Sequence, residues 1–72
     1  MKKWLTWTEM AKVVNMDGEC LATMSGWNAR TVVRQAISGE FAVIVCDGAK
    51  GKIAKLLPTL DAAKRYQFAM HR

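Results

Sequence analysis

The sequence predicts an α+β fold of three helices, a β-hairpin and a closing helix, and three observations predict it. In "NARTVVRQAISGE", residues 28 to 40, the apolar Ala29, Val32, Val33, Ala36 and Ile37 recur at i, i+3, i+4, i+7 and i+8, the spacing of one buried helical stripe. "LTWTEMAKVV" carries Thr6 three positions before Glu9, as in a capping box, where each side chain satisfies a backbone donor of the other. From residue 40 the period changes: the β-branched, apolar "EFAVIVC" and "KIAKLL" flank the turn-forming "DGAKGK" as a hairpin.

The first helix is expected over about 6–15, with Trp7, Met10, Ala11 and Val14 at helical spacing and "NMDG" supplying the turn. Asp17 can cap a second helix over about 17–25, with Leu21 and Met24 turned inward and Gly26 ending it. Asn28 is a good N-cap for the third, over about 28–38, and Gly39 stands where a helix commonly terminates. The hairpin covers about 40–57, Pro58 stops its second strand, and Thr59 caps a last helix over about 59–70 with Leu60, Ala63, Tyr66 and Met70 inward. A competing parse makes "ECLATMS" and "TVVRQAI" strands of a small antiparallel sheet covered by the last helix, since β-branching favours strands. The helix is preferred because a strand would put Gln35 on one face with Val33 and Ile37, and Arg34 on the other with Val32 and Ala36.

A chain of 72 residues is expected to form one domain, marginal enough in core that pairing into a homodimer would help it. Two cysteines, Cys20 and Cys46, do not make a disulfide framework, and thiols kept reduced in a bacterial cytoplasm are expected. Polar residues interrupt any apolar run behind the opening Met-Lys-Lys, and the longest such run, 41–46, is too short to span a bilayer, so neither leader nor membrane partner is expected. Eleven Lys and Arg against six Asp and Glu give a net charge of +5, which favours a polyanionic partner.

The inventory for catalysis is thin. The single histidine, His71, stands next to the end of the sequence, and two cysteines 26 positions apart do not supply metal-ligand spacing. No enzyme activity, cofactor, metal or small-molecule substrate is expected. On a helix over 28–38 the polar face would carry Arg30, Thr31, Arg34 and Gln35, residue types that hydrogen-bond base edges, with no carboxylate between Gly26 and Gly39. Lys50, Lys52 and Lys55 concentrate in the hairpin and could grip phosphates, although lysine also guards sheet edges against pairing. Trp4, Trp7 and Trp27 are expected in the core, because aromatic side chains bury the most area.

In that order, "LTWTEMAKVV", "ECLATMSG", "NARTVVRQAISG" and "EFAVIVCDGAKGKIAKLLP" resemble the Cro repressor family of lambda-like bacteriophages, over about residues 4 to 60. The resemblance implies a helix-turn-helix core whose third helix enters the major groove, two copies binding a double-stranded operator as a homodimer. It places base reading on Arg30, Thr31, Arg34 and Gln35. Phosphate contacts fall on Asn28, Ser38, Lys50 and Lys52, and the dimer edge on Lys55, Leu56, Leu57 and Leu60, with Leu57 or Leu60 as an apolar plug in the partner. Departures are one or two extra residues around "SGWN", an acidic Glu40 where the family tends to be basic, and the helical segment after Leu60. The function expected is transcriptional repression by operator occupancy. The alternatives are a phage excisionase with a winged helix and a small phage protein that binds and inhibits a host enzyme.

Overall fold

Thr31, Val32 and Val33 are β-branched at three successive positions, which stiffens χ1 and favours a pleated backbone over a coiled one. They lie at the centre of a strand. The computed structural model describes residues 4–17, 20–26 and 30–71. Its elements are β1 (Leu5–Thr6), α1 (Trp7–Met10), β2 (Ala22–Ser25), β3 (Arg30–Gln35), β4 (Phe41–Asp47), β5 (Lys50–Leu57) and α2 (Leu60–Met70). The five strands form one antiparallel sheet in the order β1-β5-β4-β3-β2.

Both faces of the sheet are covered at its centre. On one, Val32, Ala42 and Ile44 form a core with Met10 and Val14, joined at its margin by Leu5, Trp7, Met16, Cys20, Cys46 and Ile53. On the other, Val33 and Val43 pack with Ala63 of α2, flanked by Ala22, Phe41, Leu57, Leu60 and Tyr66. The register explains the split: Val32 pairs with Ile44 and Val33 with Val43, so neighbours in the chain serve opposite layers.

The first layer is built by the amino-terminal stretch. Thr6 and Glu9 make the expected capping box, with Thr6 N–H donating to Glu9 Oε1 at 2.9 Å and Glu9 N–H to Thr6 Oγ1 at 3.2 Å. The helix lasts one turn, and the chain then crosses to β3, where Val14 bridges Ala36 and Asn15 N–H donates to the Gln35 carbonyl at 2.9 Å. The second layer is α2, capped by Thr59, whose Oγ1 accepts from Ala62 N–H at 3.1 Å.

The three-helix, helix-turn-helix core is therefore corrected. Of the helix expected over 6–15, only Trp7–Met10 is α-helical; the stretches expected as helices over 17–25 and 28–38 contain β2 and β3. The competing sheet parse describes them better. The objection that a strand would mix polar and apolar residues holds only where one face is wet. Along β3 burial runs exposed, buried, buried, buried, half-buried, exposed, the contiguous pattern of a strand sandwiched by two layers. Arg30 and Gln35 stand exposed at the ends of the strand, and Arg34, between buried Val32 and Ala36 on one sheet face, is half-buried, so the three do not share a helical face. The hairpin expected over 40–57 is present as β4 and β5, and the last helix as α2, with Ala63 buried as expected, Gln67 buried as well and Met70 exposed. Leu21 is exposed instead of turned inward. Trp27 and Asn28 lie outside the described residues.

Candidate nucleic-acid interface

The β4–β5 hairpin turns through Gly48 and Ala49, with positive φ (+59°) at Gly48 only, the pattern of a type II′ turn that matches strand twist. The tip is not free. Trp7 Nε1–H donates to the Gly48 carbonyl at 2.8 Å, and β1 pairs with Lys50 and Gly51. The hairpin thus lies against the body of the protein as part of the sheet.

Along β5 the register places Lys50 opposite Asp47, Lys52 opposite Val45 and Lys55 opposite Val43. Alternation alone would put Lys55 on the face of Ile53. Instead the register shifts between Val43 and Ile44, where Ile53 pairs with Ile44 and Lys55 with Val43, leaving Ala54 as the extra residue of a β-bulge. The bulge brings Lys55 into phase with Lys50 and Lys52, on the same side of the sheet as α2. Lys50 and Lys55 are exposed and Lys52 half-buried, so these three cations line a strip of that face along β5. Trp4 borders it: Lys52 Nζ stands 5.0 Å from the centre of the indole ring, within cation–π range, and Trp4 remains 41% exposed. Trp4 is thus not in the core, whereas Trp7 packs at its margin as expected.

The residues expected to read bases are not brought together. Arg30 is exposed and Arg34 half-buried, both on the face of Val32. Thr31 points the other way, is only 1% exposed, and is engaged beneath α2: Gln67 Nε2 donates to its carbonyl (3.1 Å) and its Oγ1 (3.0 Å), and its hydroxyl lies 2.8 Å from His71 Nε2. Thr31 is buried structure and cannot touch a base. Gln35 is exposed, its amide donating to the Gly39 carbonyl at 3.2 Å, and Ser38 Oγ donates to Glu40 Oε1 at 3.4 Å. Among the residues expected at a dimer edge, Lys55 and Leu56 are exposed, and Leu57 and Leu60 are half-buried and packed against the chain's own core. β1 covers the outer edge of β5 only at Lys50 and Gly51, and the lysines and bulge beyond are features that discourage strand pairing.

Cys46 lies opposite Arg30 in the register. Burial pushes its thiol above the ordinary cysteine range, outweighing the pull of the Arg30 charge; Cys20 adds to the rise and Arg34 opposes it. A thiol held protonated is a poor nucleophile, so Cys46 serves as a small hydrophobe at the margin of the core. Among the described residues, no group of three or more His, Cys, Asp or Glu side chains is placed to hold a metal ion, and no helix is long and apolar enough to cross a membrane.

Trp4 and the bulge at Ala54 are the parts of this strip that the sequence does not announce. The one available signal was "MKKW", two lysines beside an aromatic residue. Compared with protein-family models, with curated proteins and with solved structures, the chain finds no match in any of the three.

Proposed function

We propose that the chain is a non-catalytic nucleic-acid-binding protein that holds a phosphate backbone on the lysine strip of β5. The observation that carries the reading is the bulge at Ala54, which aligns Lys55 with Lys50 and Lys52 along one side of β5, two of them exposed and Lys52 half-buried. Three cations on one strand face suit a linear polyanion, whereas scattered lysines would serve solubility alone. The overall charge agrees in sign, a net +5 over the sequence with these three lysines included. Residues 30–35 form β3, so that stretch offers no recognition helix to an operator.

Binding of a labelled oligonucleotide, followed by fluorescence anisotropy between about 50 and 200 mM salt, tests it. The wild type is expected to bind with a log–log salt slope that falls by about one for each lysine removed in Lys52→Gln and Lys55→Gln. Arg34→Gln, on the opposite face, should leave the slope unchanged. Equal slopes for the wild type and the Lys52→Gln, Lys55→Gln double variant would remove the strip from consideration.

A further inference from the structure

We infer, resting on the nucleic-acid reading above, that the strip takes single-stranded in preference to duplex nucleic acid, with the Trp4 ring as the platform on which one unpaired base stacks. A duplex offers its bases only as edges in the grooves, and its major groove admits a helix or a free two-stranded ribbon. This surface presents no free ribbon, and the helix on its side, α2, is packed on the sheet through Ala63 and Gln67 and carries only two cations, Lys64 and Arg65. The β4–β5 hairpin is held by β1 at Lys50 and Gly51, by β3 along its other side and by Trp7 at its tip. On α2 the Arg65 guanidinium is paired with Asp61 at 3.2 Å. A sheet face of this breadth can meet duplex phosphates but cannot bring an indole to a base.

A single strand removes that obstacle, because its bases turn away from the backbone and stack on aromatic faces. Trp4 is exposed beside Lys52, so a base on the indole would have its own phosphate within reach of the lysine. Lys50 and Lys52 are alternate residues of one strand, about 6.6 Å apart along it, a pitch comparable to that of successive phosphates in an extended single strand. The cations and the ring thus form one track for backbone and base together.

The test uses the full chain with an oligothymidylate of about 12 nucleotides and a duplex of the same length at the same salt. The single strand is expected to bind at least about tenfold more tightly, and Trp4→Ala to lose about tenfold for it while duplex affinity stays unchanged. Trp4→Phe should retain most of the affinity, and unchanged thermal midpoints would show that both variants fold. Duplex bound as tightly as single strand, or Trp4→Ala binding like the wild type, overturns this inference while the lysine strip stands. No salt-sensitive binding of either oligonucleotide overturns the strip as well.

Discussion

Gly51→Val is expected to destabilise the fold by about 2 kcal/mol or more, read as a lower denaturant midpoint at unchanged slope. The reason is the close approach of α1 to β5. A Cβ at position 51 would lie 2.7 Å from Trp7 Cη2, 3.0 Å from Trp7 Cζ3 and 3.1 Å from Met10 Cε. The terminal methyl of Met10 can shift, but the indole is rigid and hydrogen-bonded to the Gly48 carbonyl and does not yield cheaply. Displacing the ring would also loosen the hairpin tip, so loss of affinity for nucleic acid should accompany the loss of stability. Gly48→Asn is the control. A Cβ there would meet no atom, so the cost is that of the positive φ alone, about 1 kcal/mol, and stays below the loss at position 51.

The second large effect is expected at the contact between α2 and β3. Gln67 is 1% exposed, and its amide supplies two hydrogen bonds to Thr31. Gln67→Ala removes both and leaves a void, at a cost of about 2 to 4 kcal/mol. Thr31→Val, nearly isosteric, should cost about 1 to 2 kcal/mol, because it strands the groups that Thr31 Oγ1 now partners. In a double-mutant cycle with Gln67→Leu the combined loss should fall short of the sum, since removing both polar partners is gentler than removing one. A solvent-facing Thr31, as on a recognition helix, would make Thr31→Val neutral and the cycle additive.

Much of the local chemistry was legible in the sequence. Thr6 with Glu9, Thr59, the hairpin with Gly48, and the inner residues Leu60 and Ala63 follow from short-range rules that a few residues can satisfy by themselves. The stretch around Thr31 to Ala36 was not, because its apolar residues satisfy two periods at once. Val32, Val33 and Ala36 fit a helical stripe, and Thr31, Val32 and Val33 equally fit a strand buried on both faces. What decides between them is non-local. Met10 and Val14 cover one face and Ala63 with Gln67 the other, and no window of the sequence contains both layers. The site was half legible for the same reason. Lys50, Lys52 and Lys55 stood out as a basic cluster, but their common face depends on the bulge at Ala54, which is a property of pairing with β4. Assigning base reading to Thr31 failed with the helix that would have exposed it.

The most direct measurement is a residue-resolved NMR titration of the full chain with an oligothymidylate. Shift changes are expected to cluster on Trp4, Lys50, Lys52 and Lys55, with the indole N–H of Trp4 among the largest. Changes gathered instead on Arg30, Arg34, Gln35 and Ser38, or none at low salt, would contradict a binding face on β5.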